Sequence, residues 1–298
     1  MPKFNFLSVS LAVFLGVQAA TLPALSQALL PYTLEPNPEE MEQAGIEVAE
    51  EAIQLARFQR PEAALSRARL AVQLAPDLYQ TWFILGGLYL QLDKVDPGIE
   101  ALQQSLAIAP DDAKANIKFS LGSAYFQKKD YQAAISELEA GLKLNPNSSP
   151  ALFDLGNAYF KLEKFPESIA AYERAVKNDG KFWPAMNNIG LVKYEQGNID
   201  AALERWRTVL KIDPKQAEPE LAIATALYKK GKTQEAITLA QSALSRDSRY
   251  AKLSFLEQNL WGKKLLADAE TFFANPKMKD FLAKLPEPPA PGENEEGE

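Results

Sequence analysis

The sequence contains neither cysteine nor histidine. Together those two absences remove disulfide staples, thiolate nucleophiles, imidazole bases and every Cys/His metal site. Basic stripes are missing as well. Lys and Arg number 32 against 39 Asp and Glu, and nowhere do the cations gather into the block that a phosphate backbone requires. Nucleic acid is therefore not an expected partner. No Gly-rich phosphate loop, GxSxG elbow or calcium-loop spacing of acids occurs. Acid pairs such as Glu137 with Glu139, or Asp111 with Asp112, fall on expected outer faces or loops as ordinary solvated charges. With no catalytic residue, cofactor motif or metal set in view, the expectation is a protein that is not an enzyme.

What the sequence does have is apolar material, 47% of its 298 residues, enough for a sizeable core. Its charge is unevenly placed. Of a formal net charge of −7, five acids (Glu287, Glu293, Glu295, Glu296, Glu298) lie within residues 286–298. That stretch holds four prolines and no Lys or Arg, and it reads as a disordered acidic tail. At the other end no charged residue stands between Lys3 and Glu35, and Phe6 to Val17 is a compact apolar run. This is the layout of a secretory signal, with small residues at Val17-Gln18-Ala19 and Ser26-Gln27-Ala28 for cleavage. Continued apolar character through Leu30 also suits an uncleaved membrane anchor. Residues 1–30 are thus expected to be a signal peptide or an anchor, and both readings put the body on the extracytoplasmic side. Residues 31–38, with Pro31, Pro36 and Pro38, read as an extended linker.

Between these ends the sequence repeats. The segments LGSAYFQKKDYQAAI, LGNAYFKLEKFPESI and IGLVKYEQGNIDAAL align at a shift of 34, with Gly122, Gly156 and Gly190 in register, as are Ala134, Ser168, Ala202 and Ala236. The order Leu-Gly, Tyr, Ala, aromatic, Ala and Pro resembles the tetratricopeptide family. Repeats are assigned at 45–78, 79–112, 115–148, 149–182, 183–216 and 217–250, the first and last degenerate, with Ala113 and Lys114 as an insertion. The resemblance implies an all-α fold, a right-handed superhelical solenoid of about six helical hairpins over residues 39–250, with the first (A) helix of each hairpin on the concave wall. Gly156 is expected where helix A meets helix B, with Leu155, Tyr159, Ile169 and Tyr172 filling the space around it. Residues 251–285 are expected to cap the stack. The cap would begin with one helix over 251–266, laid on repeat six through Leu253, Leu256, Leu260 and Trp261.

Ligands of this family lie along fixed positions of the A helices. The resemblance therefore implies a peptide-binding set of Phe83, Phe119, Phe126, Phe153, Asn157, Phe160, Asn187, Asn188, Tyr194 and Tyr228. Asparagine amides would hold a peptide backbone, and the aromatic rings its apolar side chains. The Lys/Arg clamp that some members use for chaperone tails is not expected. Lys161 and Lys229 stand alone, and Asp154 and Glu195 oppose a terminal carboxylate. Expected partners are proteins or extended peptide segments, and a membrane through the amino-terminal segment if it is uncleaved. The leader, six repeats and closing NLWGKKLLADAETFF stretch together resemble tetratricopeptide proteins of cyanobacteria. That implies a scaffold or assembly factor for photosynthetic or other membrane complexes at the thylakoid. The alternative is a soluble periplasmic module serving envelope biogenesis or secretion.

Overall fold

The structure is a computed structural model and describes residues 37–286. The expected leader, nearly all of the linker and the acidic tail from Glu287 lie outside these residues. Among the described residues no helix is long and apolar enough to cross a membrane.

Six helical hairpins follow one another. They are α1 (Pro38–Arg57) with α2 (Pro61–Leu74), α3 (Tyr79–Gln91) with α4 (Val95–Ile108), and α5 (Asp111–Gln127) with α6 (Tyr131–Leu144). After them come α7 (Ser149–Lys161) with α8 (Phe165–Asn178), α9 (Trp183–Glu195) with α10 (Ile199–Ile212), and α11 (Ala217–Lys229) with α12 (Thr233–Arg246). Each helix packs on its hairpin partner and then on the next hairpin, so the order in sequence is the order in space. The extra pair Ala113 and Lys114 does not bulge out. It is taken up in the first turn of α5, which runs for 17 residues where α3, α7, α9 and α11 run for 13.

Local chemistry sets the ends. Pro38, Pro61, Pro150, Pro166 and Pro184 stand in first turns, where a missing N–H costs nothing. The Ser148 hydroxyl and the Asp130 carboxylate accept amides of Ala151 and Ala133 as N-caps. Every A helix closes through one residue at positive φ: Gln59, Asp93, Lys129, Glu163, Gly197 and Gly231. The following amide bonds back to a carbonyl five residues earlier, as in Lys164 N to Tyr159 O at 2.9 Å, which satisfies orphan carbonyls. Four of those six are not glycine, so glycine content alone does not reveal the turn.

Packing between A and B follows a reciprocal rule. Gly86, Gly122, Gly156 and Gly190 face Leu102, Leu138, Tyr172 and Trp206, and all four of those B-helix side chains are fully buried. A Cβ on Gly122 would stand 2.5 Å from Leu138 Cγ, and one on Gly156 would stand 2.4 Å from Tyr172 Cε1. In the two degenerate repeats the glycine position is Ala52 or Ala224, and the facing residue shrinks to Ala68 or Ala240. Where the A-helix position is glycine the facing B-helix side chain is large enough to fill the space over it, and where the A helix carries a Cβ the facing residue is small.

Beyond α12 the chain departs from the single helix expected over 251–266. A 3-10 turn, Ser248–Ala251, leads to a short α13 (Leu253–Gln258). After a break the chain forms α14 (Lys263–Phe273) and α15 (Pro276–Leu282). The break is a backbone event. Leu260 sits at φ 66, which ends α13 and reverses the chain, and Gly262 caps α14 where a side chain would overlap the Glu195 carboxylate. As a result α14 packs on α11 and α9, the concave wall, rather than across the open end of the last hairpin.

Candidate functional site

The concave wall is divided between hairpins that the chain fills itself and hairpins that it leaves uncovered. In the carboxy-terminal half α14 lies on α9 and α11 with Leu265, Ala269 and Phe272 fully buried. Glu195, the last residue of α9, accepts the amides of Lys264 (3.1 Å) and Leu265 (3.0 Å), while Lys264 Nζ donates to the Glu195 carbonyl at 2.6 Å. A carboxylate at a helix N-terminus is favoured by the helix dipole as well as by these bonds. One turn on, Asp268 accepts from the Tyr194 hydroxyl at 2.8 Å and from Lys229 Nζ at 2.7 Å. A further turn on, the Phe272 ring stacks on Tyr228 with centroids 4.6 Å apart. Burial, reinforced by Asp268, pushes the Tyr194 phenol well above its usual range, so its proton stays in place to donate.

The segment before α14 is pinned too. The Trp261 indole is buried, and its N–H donates to Glu218 Oε1 at 3.2 Å. Burial is the chief influence on Glu218 and lifts its pKa to about 7, against the pull of hydrogen bonds with Asn187 and Trp261. Asn187 Oδ1 is buried without a donor among the described residues.

Of the ten residues expected to bind peptide, the structure sets five inside the protein. Asn187, Asn188, Tyr194, Asn157 and Phe160 are all buried. The asparagines spend their amides on one another. Asn188 Nδ2 donates to Asn157 Oδ1 at 3.0 Å, the Tyr172 hydroxyl donates to the same oxygen at 2.7 Å, and Asn187 Nδ2 donates to Asn188 Oδ1 at 3.2 Å. Tyr228 is covered by Phe272, and Phe153 is half-buried between Tyr172 and Phe182. A ladder of asparagine amides free to grip a backbone is therefore not what these hairpins present. The physical reason is that buried amides need partners, and the nearest are each other.

Phe83, Phe119 and Phe126, on the amino-terminal half, are half-buried, as Phe153 and Tyr228 are, but no segment of the described chain is seated over them as Phe272 is over Tyr228. Phe83 and Phe119 line an open groove of ≈ 630 Å³ with Ile53, Ile84, Leu90 and Ser123. Its chemistry is almost wholly apolar. Asp154 stands on the same wall, accepting the Ser123 hydroxyl at 3.0 Å, and burial raises its pKa more than that bond lowers it. Among the described residues no group of acids is placed to hold a metal ion.

Glu195, Glu218, Trp261 and Asp268 are not among the expected binding residues, yet they are fixtures of the wall. One signal marks them in part: Leu265, Asp268, Ala269 and Phe272 fall at i, i+3, i+4 and i+7, so an acid interrupts an apolar helical stripe.

Comparison with solved structures finds the same architecture. PilF of Pseudomonas aeruginosa superposes with a TM-score of 0.59 at 16% identity, over 75% of this chain and 98% of that one. MamA of Desulfovibrio magneticus RS-1 does so at 0.54 and 19%, over 59% and 97%. YrrB, a TPR protein with an unusual peptide-binding site, gives 0.50 and 18%, over 65% and 100%. At such identities the likeness is one of fold. No curated protein matches the sequence. Family models described as tetratricopeptide repeat match residues 79–112, 119–181, 153–217 and 193–254, more than half of the chain. The match over 79–112 spans the hairpin of α3 and α4, the others run across neighbouring hairpins, and the chain belongs to the tetratricopeptide repeat family.

Proposed function

We propose that this protein is an interaction scaffold that holds a segment of a partner protein in the amino-terminal half of its concave wall. The observation that carries the reading is the open apolar groove lined by Ile53, Phe83, Ile84, Leu90 and Phe119. Half-exposed aromatic rings at the floor of a groove are the anchors from which interfaces draw most of their energy. The peptide-binding site of YrrB, a protein of the same fold, supports it by analogy. The charge-free stretch before Glu35 supports a site of action on the extracytoplasmic side of a membrane. The resemblance to cyanobacterial assembly factors favours a part in membrane-complex biogenesis over the periplasmic alternative.

A photo-reactive phenylalanine analogue placed at Phe119, and separately at Leu144, tests the groove. Leu144 is an exposed apolar residue at the end of α6, a B helix, and serves as the control position. In the full chain, mixed with membranes from its own cells, partner cross-links are expected from position 119 and not from 144. Cross-links from 144 alone would move the binding surface off the concave wall.

A further inference from the structure

The filled half shows what kind of segment this wall accepts, and the repeat register shows where the wall offers it again. The residues that hold α14 are Tyr194 and Glu195 at the end of α9, and Tyr228 and Lys229 at the end of α11. Two periods upstream the same positions are Phe126 and Gln127 at the end of α5, and Phe160 and Lys161 at the end of α7. Aromatic, polar, aromatic and lysine recur in that order. Lys229 is satisfied by Asp268, whereas Lys161 makes no ion pair among the described residues. It is half-buried, and burial lowers its pKa; Glu257 and Lys129 are the charged groups acting on it, with opposite signs. A partly desolvated ammonium without an ion-paired carboxylate, at the end of an apolar wall, is a place where one acid of a ligand is worth more than at a free surface. This wall is continuous with the one that α14 covers, and it leads into the groove of Phe83, Leu90 and Phe119.

We propose that the open half takes an amphipathic helix of a partner protein, docked as α14 is docked, with its apolar stripe on Phe83, Leu90, Phe119 and Phe126 and one carboxylate on Lys161. The proposal rests on the scaffold reading above and narrows its ligand from any peptide to an acid-bearing helix. A helix is chosen over an extended strand because the one segment seated on this wall is a helix, and because the asparagines that would serve a strand are bound to each other. Asp154, the acid of the same wall, is engaged by Ser123.

The probe is a fluorescent peptide of residues 262–275, GKKLLADAETFFAN, titrated into the full chain. Saturable binding with a gain of peptide helicity is expected. Lys161→Glu should weaken it by about tenfold or more, through repulsion of the peptide's Asp268. A peptide carrying Asp268→Lys should bind Lys161→Glu better than the unaltered peptide does. Phe126→Ala should lose affinity while the far-ultraviolet spectrum stays that of the folded array. Binding insensitive to Lys161→Glu but abolished by Lys229→Glu would mean exchange with the chain's own α14 and would overturn the proposal, as would no binding at all. Cross-links from Phe119 to a partner in the absence of peptide binding would sink the helix and leave the scaffold standing.

Discussion

The two halves of the concave wall are built from the same repeat, yet one is a protein interior and the other a surface. On α9 and α11 the wall meets Leu265, Ala269 and Phe272 of the chain's own α14, and residues such as Tyr194 and Asn187 are as buried as core leucines. On α3 and α5 the equivalent positions, Phe83, Phe119 and Phe126, are only half-buried. Repeat identity therefore decides where a residue points, and the chain's path beyond the last repeat decides whether it meets solvent. A substitution on the filled half should cost stability. The equivalent one on the open half should cost binding.

The largest effect that would test this division is Trp261→Ala. It removes a buried indole and the donor to Glu218, and about 3–5 kcal/mol is expected from the cavity. Hydrogen exchange should then show protection falling in α9, α11 and α14 while α1 to α6 keep theirs, because stability in such an array is a nearest-neighbour sum. Loss spread evenly over all hairpins would erase the distinction.

A second test uses pH. The carboxyl of Glu218 has its pKa raised to about 7 by burial, so the folded protein binds a proton there that the unfolded chain has released above about 4.5. Its contribution is therefore full below pH 4.5 and is lost as pH rises toward 7, by a few kcal/mol at most. Urea unfolding of the wild type compared with Glu218→Gln should isolate this loss, since the amide does not titrate. Parallel pH profiles for the two proteins would show that burial does not hold Glu218 neutral.

The smallest contrast is between two glycines of A helices. At Gly156 a methyl meets the Tyr172 ring, and Gly156→Ala should cost about 1–3 kcal/mol. At Gly87, on the exposed wall, nothing stands within 4 Å of a Cβ, so Gly87→Ala should gain up to about 1 kcal/mol of helix propensity. Thermal midpoints moving the same way in both would break the assignment of buried and open faces.

The hairpins were legible because a 34-residue period in Gly, Ala and aromatic positions can be satisfied by little else than stacked helix pairs, and the degenerate end repeats keep the rule by pairing Ala52 with Ala68 and Ala224 with Ala240. The site was legible only as a set of positions. Asn157, Asn187 and Asn188 carry the right groups for a peptide backbone, but whether an amide is free depends on what lies across from it, and Asn188 lies across from Asn157. The path of the carboxy-terminal segment was the least legible. It turns on Leu260 taking a positive φ that its side chain disfavours, a local cost offset only by distant contacts, among them Glu195 with the amides of α14 and Trp261 with Glu218.

By itself, then, the sequence determined the all-helical array and the number of its hairpins, because those follow from spacing along one chain. Only the tertiary structure decided that α14 would lie on the concave wall and that Lys229 would find Asp268 while Lys161 would not. Such pairings join residues tens of positions apart, and spacing within a repeat places no constraint on them.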